Sequence, residues 1–396
     1  VYKRQPLDTT ESVHGLSPKR HHSEPTGRDP RDSTSMRAHG ITEPPPCRDT
    51  VHGRGVGRAS ALAERREGCT VSDSSEQIER LLESSDARLE AGDVDSALAD
   101  LSRAIELDGS RADSYVRRAR VARHAGQLMR ALSDLDRAVE LDAQGAAAFY
   151  QRANVRSELQ DFRRALEDYT RAVQLDPEVA KAWHNRAVAL AELGQVEQAV
   201  ADLERAVELE PERALSFAVL GTYRLRLGQV DAGLADLVRA SELEPSLAYP
   251  HLSRGTHLLE HGQVDEGVAE LRAVLERPAT AAQQAQAHAN LAWAYALESD
   301  DERTVEHASQ ALELEPDNAY AHVWRALARR RQGDHPGAMR DAWCALELAP
   351  EAAQAHFVRG VLQLDRDELE LAIRDLGRAL ELDPSLVEAH LERARA

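Results

Sequence analysis

From about residue 76 the chain repeats its own order of apolar, small and charged positions at a shift of 34. The run Ala131-Leu132-Ser133-Asp134-Leu135-Asp136-Arg137-Ala138-Val139-Glu140-Leu141 returns at residues 199–209 and again at 372–382. Each copy predicts two helices. A first helix A ends at position 15, where Gly92, Gly126, Gly194, Gly228, Gly262 and Gly333 permit the left-handed backbone that helix C-termini often need. A second helix B stops at position 32, where Pro177, Pro211, Pro245, Pro316, Pro350 and Pro384 cannot continue it. Residues 1–75 show no such order. Pro, Gly, Ser, His and Arg dominate there, and apolar residues are scattered with neither a helical nor a strand period. Such a segment buries too little apolar surface to offset its chain entropy, so a disordered polar N-terminal segment is expected over 1–75. It has room for one short helix near 59–67. Gly53-Arg54-Gly55-Val56-Gly57 reads as linker and not as a phosphate loop, because no strand precedes it and no Gly-Lys-Ser/Thr follows.

Nine full repeats can be laid out: 78–111, 112–145, 146–179, 180–213, 214–247, 248–281, 285–318, 319–352 and 353–386, with a partial repeat at 387–396. A three-residue insertion, Ala282-Gln283-Gln284, breaks the register once. Position 8 is Ala119, Ala153, Ala187, Gly221, Gly255, Ala292, Ala326 and Gly360, with Ser85 in the first repeat. Position 27 is Ala in eight repeats and Val274 in the other. This pattern resembles the tetratricopeptide repeat, a helix–turn–helix unit of ~34 residues. Departures are Thr304 at position 20 and His at position 4 in four repeats, and they mark the sixth to eighth repeats as less regular.

The resemblance implies an all-α fold, a right-handed superhelical solenoid with helices A lining an inner groove. Small residues at positions 8, 20 and 27 allow helix backbones to cross closely. Each unit alone exposes an apolar face, so stability comes from stacking neighbours. The array is expected over 76–396.

Composition narrows the function. Ala, Leu, Glu and Arg abound, which suits helices. A formal charge of −19 argues against nucleic acid or an anionic membrane surface as partner. Three cysteines, Cys47, Cys69 and Cys344, are far apart and make neither a disulfide framework nor a zinc site. A reducing, cytoplasmic setting follows. No apolar stretch approaches the ~20 residues of a membrane helix, and the N-terminus lacks the apolar core of a secretory signal. The chain begins at Val1, has its first Met at Met36 and stops within a helical pattern at Ala396, so it reads as a fragment of a longer protein.

No catalytic residue, cofactor or metal is expected. His288, His322, His356 and His390 come one per repeat, too far apart to share an ion, and read as flat rings filling the slot at position 4. The pair Asp134/Arg137 recurs as Asp168/Arg171, Asp202/Arg205, Asp236/Arg239 and Asp375/Arg378. At i,i+3 it reads as a structural ion pair or helix–helix contact, not an acid–base dyad.

In the resembled family, ligands are usually held from helix A positions 2, 5, 9, 12 and 13. Those positions hold Arg120, Arg123 and His124, then Tyr150 and Asn154, then Lys181 and His184. Further along they hold Arg226, Tyr249, Trp293, Tyr320, Arg330, Arg331 and Phe357. Asn154 and Asn185 match the two Asn of the clamp that chaperone-binding relatives close on a C-terminal carboxylate. Tyr150, Leu215 and Val219 replace its basic residues, so that clamp is not expected.

First halves of the repeats sum to a positive charge and second halves to a negative one. Two readings stand. The asymmetry is a general habit of such repeats, with Arg118, Arg152, Arg186, Arg254, Arg325 and Arg359 at position 7 serving packing. Alternatively, Arg120, Arg123, Arg226, Arg330 and Arg331 make the groove a reader of acidic segments. The function expected is a non-catalytic scaffold holding a segment of another protein or peptide in the groove. The alternative is the targeting or regulatory arm of a longer enzyme or regulator.

Overall fold

A computed structural model describes the backbone of residues 59–396 and side chains from Ser74 onward. The described residues form nineteen helices and no strand. They open with α1 (Ala59–Glu90), α2 (Val94–Leu107), α3 (Ala112–His124), α4 (Leu128–Leu141), α5 (Ala146–Glu158) and α6 (Phe162–Leu175). The middle comprises α7 (Ala180–Glu192), α8 (Val196–Leu209), α9 (Ala214–Arg226), α10 (Val230–Leu243), α11 (Ala248–Glu260) and α12 (Val264–Leu275). Last come α13 (Ala281–Leu297), α14 (Asp301–Leu314), α15 (Ala319–Arg331), α16 (His335–Leu348), α17 (Ala353–Leu364), α18 (Leu369–Leu382) and α19 (Val387–Arg395).

The chain divides into two compact units between Ala143 and Gln144. In each unit odd-numbered helices are the A helices and even-numbered ones the B helices, and each A packs on its own B. In the first unit α2 packs on α3; in the second, α6 packs on α7, α8 on α9, α12 on α13, α14 on α15 and α16 on α17. This is the all-α solenoid architecture of stacked helix pairs.

Small residues sit where the helices cross. Ala119, Ala153, Ala187, Ala292 and Ala326 at position 8 are fully buried, as are Ala97, Ala131, Ala165 and Ala199 at position 20. Glycine closes the A–B turn with φ between 72° and 84° in six repeats. Where glycine is missing, Gln160, Ser299 and Asp367 take the same left-handed conformation at φ 61–63°. The turn geometry is therefore imposed by helix packing, and glycine only relieves its strain.

One sequence expectation changes. The division near residue 76 falls inside α1, which is helical back to Ala59, so the first A helix is longer than the repeat pattern implies. The expectation of disorder for residues 1–58, and the Gly53–Gly57 run, lie outside the described residues. The insertion Ala282-Gln283-Gln284 does not bulge. It forms the first turn of α13, where Thr280 and Gln283 cap each other reciprocally. Among the described residues no helix is long and apolar enough to cross a membrane. None of them form a group of three or more His, Cys, Asp or Glu placed to hold a metal ion.

Candidate partner-binding face

Three side-chain ties hold the repeats and decide which polar groups remain for a partner. The first lies within a repeat. Arg at position 7 of helix A grips the carboxylate at position 23 of helix B through two nitrogens. Arg118 holds Asp134 at 2.8 and 2.6 Å, and Arg186 holds Asp202 at 2.6 Å through both nitrogens. Arg325 holds Asp341 at 2.9 and 2.7 Å, and Arg359 holds Asp375 at 2.6 Å. Arg152–Asp168 repeats the tie, and Arg254 reaches Glu270 through one nitrogen while His251 takes the other oxygen. In the fifth repeat position 7 is Leu220, and Arg224, one helical turn later, takes Asp236 at 2.6 Å instead. Burial would raise the Asp341 carboxyl. Hydrogen bonds from His322 and Arg325, with the charges of Arg325 and Arg329, outweigh that and hold it at about 2. The ion pair expected between Asp134 and Arg137 is thus corrected, while the alternative, a helix–helix contact, describes Asp134. Asp134 turns inward to helix A, and Arg137 pairs along helix B with Glu140 at 2.9 Å.

The second tie runs from position 4 back to the turn that precedes it. Trp183 Nε1 donates to the Pro177 carbonyl at 2.8 Å, and Tyr115 Oη to Gly109 at 3.3 Å. His322, His356 and His390 place Nε2 at 3.3, 2.9 and 3.2 Å from the carbonyls of Pro316, Pro350 and Pro384. The histidines are thus hydrogen-bonding members of the ring slot and not mere fillers.

The third tie joins position 9 of one A helix to position 6 of the next. At five junctions the two residues match in kind. Asp86 meets Arg117 at 2.5 Å, Asn154 meets Asn185 at 2.8 Å, and Thr222 meets Ser253 at 2.9 Å. Thr256 accepts from Asn290 at 2.8 Å, and the Trp293 and Trp324 rings stack with centroids 6.3 Å apart. At these junctions neighbouring A helices are therefore keyed to one another, each by its own chemistry.

With that geometry in hand, sequence comparison is decisive. Models of the tetratricopeptide repeat match residues 82–146, 153–219, 305–343 and 345–396, together more than half of the chain. The chain belongs to the tetratricopeptide-repeat family. No curated protein matches it significantly. Among solved structures, a chain of the APC/C hetero-tetramer Cut9–Hcn1 is similar with TM-score 0.56 at 18% identity. The match covers 71% of this chain and 55% of that one, so this chain spans about half of that relative's length. A tetratricopeptide repeat protein from Parabacteroides merdae is similar with TM-score 0.51 at 18% identity, covering 64% of this chain and 99% of that one. At these identities the likeness concerns the fold alone. Tetratricopeptide repeats serve generally as protein-interaction scaffolds, and this array is one.

Placed in the tetratricopeptide frame, the candidate groove residues separate into three groups. His184, Asn154, Trp293 and Phe357 are buried and belong to the stack. His184 meets Ser216 at 3.0 Å, and Asn154 accepts from both Tyr169 and Asn185. Expecting these four to reach a ligand is corrected by their burial: at these four sites the neighbouring helices enclose the side chain.

The arginines form the second group, and each has company. Arg120 pairs with Asp86 at 2.5 Å, and Arg330 grips Asp365 at 2.5 and 2.8 Å. Arg331 turns the other way, to Asp301 at 2.7 Å and the Ala296 carbonyl at 3.3 Å. The adjacent pair Arg330/Arg331 is therefore not a two-pronged carboxylate grip. It staples α15 forward to α17 and back to α13 and α14. Arg226 lies over the Tyr223 ring at 5.8 Å, and its charge lowers Glu192 against the larger upward effect of burial. Arg123 is half-buried.

The third group stays at least partly accessible on α5, α7, α9, α11 and α15. Lys181 and Arg226 are exposed, and Tyr150, Tyr249 and Tyr320 are half-buried. Position 6 was missed as a keying site. Its signal is a residue matched in kind to position 9 of the preceding repeat, a comparison across repeats and not within one.

Proposed function

We propose that this protein holds a segment of another protein along the A-helix face of residues 144–396. One observation carries the reading: side chains at the repeated polar positions are engaged in ties between helices, whereas the open A-helix positions differ from repeat to repeat. A face of that kind suits a partner of defined sequence. Half-buried tyrosines offer apolar ring area at low entropic cost to order. An acidic segment is served at Lys181 and Arg226. Elsewhere it would have to displace Asp301 and Asp365 from their arginines. We therefore read the partner as a largely uncharged segment with acidic residues confined to the α7–α9 stretch, bound in a cytoplasmic setting without nucleic acid or membrane.

A peptide selected by display against the full chain tests this, with affinity measured by fluorescence anisotropy. Lys181→Glu with Arg226→Glu should weaken binding about tenfold, equivalent to ~1.4 kcal/mol. Arg205→Glu with Arg239→Glu, on the B helices, should leave it unchanged. The reverse pattern, or loss from neither pair, would overturn the proposal.

A further inference from the structure

The seventh repeat departs from its neighbours at the tie between positions 4, 7 and 23. In the sixth, eighth and ninth repeats a position-4 histidine places Nδ1 on the position-23 acid, which the position-7 arginine also holds. These are His251–Glu270 at 2.7 Å, His322–Asp341 at 3.1 Å and His356–Asp375 at 3.4 Å. In the seventh repeat position 7 is Leu291, fully buried, and position 23 is His307. His288 Nδ1 lies 2.9 Å from His307 Nδ1.

Two imidazole nitrogens at that distance share one proton: one Nδ1–H donates to the other's lone pair. A second proton would set two N–H groups and two positive charges face to face. The surroundings give that charge little relief. The His307 ring stacks on His288, with centroids 5.2 Å apart, and on Tyr295, with centroids 5.3 Å apart. Arg303 covers the Tyr295 ring at 4.4 Å, and Arg272 of α12 donates to its hydroxyl at 2.7 Å. Of the charged groups acting on the pair, Arg272 and Arg303 oppose protonation and Glu306 favours it. Leu291 leaves no ionic partner in the arginine's place.

We propose that the His288–His307 pair is an acid-sensitive joint: double protonation separates α13 from α14 and opens the stack at the seventh repeat while its neighbours stay closed. Burial, then the charge of His307, lowers His288 from 6.5 to about 4, and burial lowers His307 too. For a base whose folded value is depressed, the unfolded state binds more protons between the two values. Stability is therefore intact above 6.5 and falls as pH drops toward about 4. Asp341 and Asp375 of the eighth and ninth repeats, held at about 2, keep their ties through that window, and in the sixth repeat burial would raise Glu270 but hydrogen bonds from His251 and Arg254 leave it lowered.

Hydrogen exchange of the full chain, corrected for intrinsic rates and mapped across pH 7 to 4, reads the joint directly. The first helices to lose protection should be α13 and α14. Leu291→Arg with His307→Asp installs the tie of the eighth repeat and should move that loss below pH 4. If the double variant does not fold, His307→Gln, which removes one titrating ring, should still lower the midpoint. Protection lost first in other helices of the parent, or equal midpoints in parent and variants, would overturn the proposal.

Discussion

Gly221 and Gly233 face each other where α9 crosses α10. A Cβ added to Gly221 would lie 2.6 Å from the Gly233 carbonyl oxygen and 2.8 Å from Leu237 Cγ. Both distances are shorter than real contacts, and the nearer atom is backbone, which cannot swing aside. Gly377, in the middle of α18, is the counterweight, because a Cβ there meets nothing within 4 Å. Two effects compete in Gly→Ala. Helix propensity favours alanine by roughly 0.5–1 kcal/mol at either site. Overpacking at Gly221 costs about 1–3 kcal/mol, and at Gly377 nothing. Gly221→Ala should therefore range from neutral to ~2.5 kcal/mol destabilising, and Gly377→Ala should stabilise by roughly 0.5–1 kcal/mol. Urea unfolding followed by helical circular dichroism gives the ranking. Hydrogen exchange localises it, since long arrays need not unfold in one step. A Gly221→Ala protein as stable as Gly377→Ala would refute the claim that glycine at positions 8 and 20 is there for close approach.

Arg118→Leu strands the buried Asp134 and should destabilise the second repeat by ~3–5 kcal/mol, whereas Arg137→Ala, on the surface of α4, should leave unfolding unchanged; comparable losses in the two would restore the i,i+3 reading. Because Asp341 and Asp375 are depressed from 3.8 to about 2, their stabilising contribution is full above pH 3.8 and is lost as pH falls through about 2. Acid unfolding of Asp341→Asn should show a shallower slope in that window, and an unaltered slope would discount the tie. Ser299→Gly should stabilise by about 1 kcal/mol, since φ 61° strains a residue with a side chain, and a loss of stability would show that the Ser299 side chain matters more.

The register of the array was legible because its causes are local and repeated. Small residues recur every 34 positions at crossings, and Gly and Pro punctuate the helices. The partner-facing residues were only partly legible. Helix position alone says which side a residue leaves from, but not how close the next A helix stands. Trp293 and Phe357 were therefore expected in a groove that their neighbours close over. The arginines misled for a related reason. Asp301 and Asp365 lie outside the repeat of Arg330 and Arg331, and charge sums by halves of a repeat do not see pairs between repeats. The histidine pair was visible as a row at position 4, yet its meaning depends on position 23, where His307 replaces an acid.

Site-specific photo-crosslinking addresses most directly whether the A-helix face is the binding face. A photoreactive side chain placed singly at Lys181, Arg226, Arg205 or Arg239 samples two open A-helix positions and two B-helix positions. With the display-selected peptide bound, crosslinks should form from residues 181 and 226 and be competed by unlabelled peptide, while residues 205 and 239 stay silent. Crosslinks confined to 205 and 239 would contradict the proposed function and move the interaction surface to the B helices.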